Sequence, residues 1–190
     1  DNFMHLLGVE HDEVGRVMRG FDQELARLWE GLRQVDAALL VTADHGHVTV
    51  RPEDMVTLPP EMLACLEYAN VGVHGPGRHA YFHCRSGRQA EFEALWAQQP
   101  RLSKEFLLLS VEDASAEGLF GPDAPLPAVR PRLGDIVAVS LGAATLVSPP
   151  EADRWRDGPC AACQGAHGSL TPEEMRIPYV LLTPEPCGAR

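Results

Sequence analysis

The run Asp36-Ala-Ala-Leu-Leu-Val-Thr42 closes on Ala43-Asp44-His45-Gly46, and a long stretch with helical periodicity precedes it. Together they restrict the fold more than any other feature. Between residues 13 and 32, Val14, Val17, Met18, Phe21, Leu25, Leu28, Trp29 and Leu32 recur mostly at threes and fours, which lines them along one face of an amphipathic helix. The run at 36–42 does not alternate, so it suits a strand buried on both faces. A helix feeding such a strand is half of an α/β unit, and open α/β sheets place ligands at the carboxyl ends of their strands. Asp44 and His45 stand at that end. Adjacent strand residues point to opposite faces, so both reach one site only where the chain leaves the strand, and Gly46 supplies that freedom.

Past Val50 the texture changes. Pro52, Pro59 and Pro60 interrupt the pattern, and residues 72–77 are a turn-rich loop. The expected elements after it are a strand at 79–84, a helix at 88–98, a strand at 106–111 and a short helix at 112–118. A Pro-rich connection follows at 121–131, and residues 135–141 and 144–147 suggest a hairpin with Gly142 near its turn. A last strand is expected at 177–182.

The residues that can carry chemistry are dispersed. Asp1 and His5 are four apart, so one helical turn or a tight loop can aim both at one ion. Asp44, His45 and, near the other end, His167 complete a set of carboxylates and imidazoles. These are the donors that a borderline cation such as Zn²⁺ takes in a catalytic site, where water or substrate fills the open positions.

Three ordered motifs give this set an identity. Asp1-x-x-x-His5-x-x-Gly8, Thr42-Ala-Asp44-His45-Gly46 and His167-Gly-Ser-Leu-Thr-Pro-Glu-Glu-Met175-x-x-Pro178 resemble the alkaline phosphatase superfamily, in particular its type I phosphodiesterase/nucleotide pyrophosphatase family. The resemblance implies an α/β fold, part of a three-layer sandwich with a central, mostly parallel sheet. Residues 1–56 and 160–190 would belong to that core, and residues 57–159 to a small inserted α+β subdomain that caps it. It implies two divalent ions, Zn²⁺ first and Mn²⁺ as the alternative: Asp1, His5 and His167 on one, Asp44 and His45 on the other. In the family the remaining carboxylate ligand and the Thr or Ser nucleophile lie upstream of the first motif. This chain is therefore expected to be the C-terminal part of a longer enzyme, with no nucleophile of its own and an N-terminal part of the same enzyme as its partner. Met4 departs from the Gly common beside that His. The implied activity is hydrolysis of a small-molecule phosphoester through a covalent phospho-Thr or phospho-Ser intermediate. Phosphomutases and phosphatases of the superfamily share the Asp-His pair and stand as alternatives, although the His167–Pro178 motif looks like the phosphodiesterase branch.

Composition narrows the partners. A formal charge of −11 argues against nucleic-acid backbone, which is bound mainly by Lys and Arg. It does not oppose phosphoester hydrolysis, because bound cations reverse the local field. No apolar run reaches the roughly 18 residues of a membrane span. Five cysteines at irregular spacing do not form a disulfide framework and point to a reducing, cytoplasmic compartment. Cys160-Ala-Ala-Cys163 offers a rival, a zinc-binding module without catalysis that would draw on His167. A lone pair of this kind is a weak signal. His47 shares the face of His45 along an extended chain; a place beside ligands or substrate is open to it, and a surface position is favoured. His74, His79 and His83 are expected to be structural or exposed, and His11 to start a helix. Trp29, Trp96 and Trp155 are expected to pack rather than stack bases. Arg78 and Arg130 are candidates to contact a substrate phosphate.

Overall fold

The structure, a computed structural model, describes residues 1–148 and 164–184. Helix α1 (Asn2–Leu7) follows Asp1 and ends at Gly8, whose φ of 78° lies in the left-handed region. Helix α2 (Asp12–Leu32) starts as expected at His11, whose side chain accepts from the Glu13 amide at 3.1 Å. Strand β1 (Leu39–Thr42) then runs to the Asp-His pair and is matched antiparallel by β9 (Tyr179–Leu182), from Leu39 opposite Leu182 to Thr42 opposite Tyr179. Two short strands, β2 (Val48–Thr49) and β8 (Gly165–Ala166), pair antiparallel beside this ribbon.

The expectation that β1 is buried on both faces is corrected. Its residues alternate between half-buried and exposed, and Leu40 is 49% exposed. Among the described residues β1 pairs with β9 alone, so one of its edges and one face have no cover. Helix α2 has the apolar stripe that its spacing predicts, but only Val14 is buried, while Met18, Phe21 and Leu28 are exposed.

The main core lies further along the chain. Strand β6 (Ile136–Ser140) is buried at every residue and sits between β4 (His79–Phe82) and β5 (Phe106–Ser110), both antiparallel to it. Helices α3 (Gln89–Ala97) and α4 (Pro100–Glu105) contribute Phe92, Trp96 and Leu102 to a cluster with Phe82, Phe106 and Met62. Strands β3 (Met55–Thr57) and β7 (Thr145–Val147) form a parallel pair, the one such pair among the described strands.

The expected hairpin between residues 135–141 and 144–147 does not form. Both edges of β6 are taken by β4 and β5, so β7 pairs with β3 instead. The connecting carbonyls find other donors. Arg78 donates to Gly142 and Ala144, and the Ser140 hydroxyl reaches the same two oxygens. Such satisfaction of buried carbonyls by side chains is what lets the chain leave one sheet for another.

Candidate metal centre

Asp1 and His5 lie one helical turn apart, with the His5 amide donating to the Asp1 carbonyl at 3.1 Å. Positions i and i+4 share a helix face, and His5 Nε2 is 3.2 Å from Asp1 Oδ1. His5 Nδ1 is 2.8 Å from the Gly165 carbonyl oxygen. That contact assigns the Nδ1 proton and leaves Nε2 with a free lone pair, as a ligating histidine requires. Gly165 is needed for closeness, because a Cβ there would lie 2.1 Å from the Met4 carbonyl oxygen.

The β2–β8 ladder brings in the next two imidazoles. Val48 faces Ala166 and Thr49 faces Gly165, and continuing that register by one step sets His47 opposite His167. Directly opposed residues in an antiparallel pair share a face, and the two rings are 4.7 Å apart. Thr49 Oγ1 also accepts from the Val9 amide at 3.2 Å, which ties the end of α1 to the ladder.

The Asp-His pair sits alongside. The His45 ring stacks on that of His167 at 3.6 Å and 11°. His45 Nδ1 lies 3.0 Å from the Gly46 carbonyl and Nε2 lies 3.5 Å from Asp44 Oδ2. Gly46 has a different reason from the one its position suggested. It is not in the left-handed region; what it provides is space, since a Cβ would stand 1.9 Å from the Glu173 carbonyl oxygen. Its amide donates to the Glu174 carbonyl at 2.8 Å and holds the two segments together.

Asp1, His5 and His167 therefore meet and gather a further residue, His47, while His45 joins them through its stacking on His167 and the exposed Asp44 touches His45 alone. His47, expected at the surface, has a side chain only 3% exposed, with Nε2 3.1 Å from Asp1 Oδ1. Asp1, His5, His47 and His167 each offer one ligand atom, and these atoms all lie within 4.8 Å of one another. The signal was the His45-x-His47 alternation; its partner across the ladder is set by a long-range register that no local pattern shows.

Electrostatics favour a cation here. Burial, then the neighbouring imidazoles of His167, His5 and His45, pushes the His47 pKa down to about 4. His167 is lowered too, by burial first and then by His45 and His5, against opposition from Glu174 and Asp44. Backbone amides, chiefly its own, and the His45 ring hold the Asp44 carboxyl below its usual range. Neutral imidazoles beside ionised carboxylates are the protonation states that a divalent ion needs. The donor set fits a borderline ion such as Zn²⁺.

A buried ion pair braces the His167 segment. Arg78, fully buried, donates through Nε and Nη2 to Glu174 at 2.7 and 2.6 Å. The same carboxylate accepts from the Ser169 amide at 2.9 Å and from the Thr171 hydroxyl, and Ser169 Oγ donates to the Ser140 carbonyl at 2.6 Å. Burial alone would raise the Glu174 pKa, but hydrogen bonds from Arg78, Thr171 and Ser169 outweigh it and leave the carboxyl low. Arg78 is thus not available to a substrate phosphate, which corrects the expectation. Arg130 is also engaged, with Glu112 and the Gly134 carbonyl. Cys160, Cys163 and Trp155 lie outside the described residues. A cavity of about 270 Å³ walled by Val50, Met55, Pro76 and Val147 opens beside His5 and His167.

The chain is an α/β protein whose Asp and His side chains gather beside the end of a strand, an arrangement that could hold a divalent ion. The profile of the family described as type I phosphodiesterase / nucleotide pyrophosphatase matches residues 1–170, and the chain belongs to that family. Its fold is similar to that of murine ectonucleotide pyrophosphatase / phosphodiesterase 5, with a TM-score of 0.68 at 19% identity over 95% of this chain and 44% of that one. The human protein of the same name gives 0.67 at 19% identity, again over 95% and 44%. Phosphonoacetate hydrolase from Sinorhizobium meliloti 1021, in complex with phosphonoformate, gives 0.66 at 22% identity over 97% and 44%. These likenesses bear out the expected fold class. The chain spans less than half the length of the structures it matches. No curated protein matches it by sequence.

Proposed function

We propose that this chain supplies most of the metal ligands of a phosphoester hydrolase that works with two divalent ions. The carrying observation is the convergence of Asp1, His5 and His167, distant in sequence, with His45 stacked on His167 and Asp44 next to His45. Asp1, His5 and His167 would hold one ion and Asp44 with His45 the other, Zn²⁺ being preferred over Mn²⁺ by the imidazole content. When bound, two such ions stabilise charge on the transferring phosphoryl group and lower the pKa of the attacking oxygen. The chain's own residues fix where this happens. His5 and His45 are aimed by backbone carbonyls, and Arg78 with Glu174 anchors the His167 segment.

The nucleophile, a Thr or Ser, is assigned to a part of the enzyme outside this chain, which also supplies the last carboxylate ligand. Exposed apolar residues on α2 and on the β1–β9 ribbon, including Phe21, Leu40 and Tyr179, support a larger body that covers them. Residues 57–159 act as the cap, and the apolar cavity beside His5 and His167 takes the non-phosphate part of the substrate. Unbridged Cys65 and Cys84 support a reducing, cytoplasmic setting.

The test is His167→Ala in the intact protein, assayed on a p-nitrophenyl phosphodiester. Removing a residue that merely supports a metal ligand costs about 10–100-fold, so loss of the ligand itself should exceed that, with the circular dichroism spectrum unchanged. Turnover near that of the unaltered protein would overturn the assignment.

A further inference from the structure

We propose that His47 is a fourth protein ligand of the ion held by Asp1, His5 and His167, which makes that position a three-histidine, one-carboxylate site. The inference rests on the reading that a divalent ion binds there, and it changes what kind of site it is.

The geometry is specific. Nε2 of His5, His47 and His167 surrounds one oxygen, Asp1 Oδ1, at 3.2, 3.1 and 3.7 Å. Ligands bound tetrahedrally at about 2.0–2.1 Å stand roughly 3.3–3.4 Å from one another, so the 3.1 and 3.2 Å spacings match donors that share an ion, and the wider separations, up to 4.8 Å, call for the donors to draw together around it. His47 Nε2 is buried and has no hydrogen-bond partner, although Asp1 is within reach. At 3.1 Å the nitrogen is near enough to Asp1 but is not aligned to bond it, and it stays grouped with the other donors. An orphaned buried nitrogen costs about 1–3 kcal/mol, and a bound ion removes that cost. The β2–β8 register delivers the residue there, opposite His167.

Two consequences follow. Three imidazoles with one carboxylate select zinc-like ions over Mg²⁺ or Ca²⁺. Four protein ligands also fill a tetrahedral shell, whereas catalytic zinc with three keeps a position open. Any water or substrate oxygen must then enter as a fifth ligand or displace His47.

The experiment is reconstitution of the intact, metal-free protein with Co²⁺, whose visible absorption reports coordination number. His47→Gln and His47→Ala are compared with the unaltered protein. Expected are an intense four-coordinate spectrum in the unaltered protein, its loss in both variants, and its recovery in His47→Ala on addition of free imidazole. Co²⁺ affinity should fall more than about 100-fold, beyond the range for residues that only orient ligands. A His47→Gln protein that keeps the spectrum and binds within tenfold would overturn the inference, leaving His47 as a positioning residue for Asp1. An unaltered protein that takes up no Co²⁺ would overturn the metal reading itself and the inference with it.

Discussion

Burial and the neighbouring rings set the charge of His47 and His167 in the metal-free chain. The His47 pKa falls from its ordinary 6.5 to about 4 in the folded chain. The unfolded state therefore takes up that proton first as the solution is acidified. The stabilising contribution is complete above the ordinary value and is lost as pH falls toward the folded one. His167 is shifted in the same direction and adds to the loss. The urea midpoint of the metal-free protein should thus fall steadily as pH drops from about 6.5 to about 4; a flat profile would contradict the buried, neutral cluster. The Arg78–Glu174 pair gives a second expectation at this scale. Truncating one partner of a buried ion pair costs about 3–5 kcal/mol, and Glu174 also accepts from Ser169 and Thr171. Glu174→Ala should lose that much in denaturant unfolding, and a loss under about 1 kcal/mol would mean that the pair does not brace the fold. Asp1, His5, Asp44, His45 and His167 were legible because each sits in a short motif. His47 and Arg78 were misjudged because their partners, His167 and Glu174, reach them only through tertiary contacts.

Elements were legible where a local pattern decides them. The α2 spacing, the His11 cap and the strand at β4 all follow from neighbours in sequence. Pairing does not. Residues 135–147 resemble a hairpin until β4 and β5 occupy both edges of β6, and β1 looks doubly buried until its neighbours are counted. The turn after β1 shows how one residue connects element to site. Gly46 lets the Asp44-His45 segment lie against Glu173 and Glu174, with no room for a methyl group. Gly46→Ala must push these segments apart, at a cost of about 1–3 kcal/mol, the usual range for overpacking. It should weaken metal binding together with stability in a Zn²⁺ competition titration. Unchanged affinity would show that the close approach does not position His45.

At the scale of the whole molecule, the chain divides its labour unevenly. The best-packed core belongs to residues 56–146, around β6, whereas the Asp/His cluster sits on short, partly exposed elements at the two ends of the sequence. That imbalance agrees with a chain spanning 44% of the structures it resembles. The family was legible from three motifs because ligand spacing is dictated by coordination chemistry; the extent of the exposed apolar faces was not, because periodicity says which face is apolar and nothing of what covers it. The proposed role of the Asp/His cluster is to bind divalent ions for phosphoester hydrolysis. The most direct measurement is Zn²⁺ titration of the intact, chelator-stripped protein, with metal uptake and p-nitrophenyl phosphodiester hydrolysis followed together. About two ions bound per chain, with activity rising as they bind, is the predicted result. Hydrolysis that survives stripping, or a protein that binds no ion at the cluster, would contradict it.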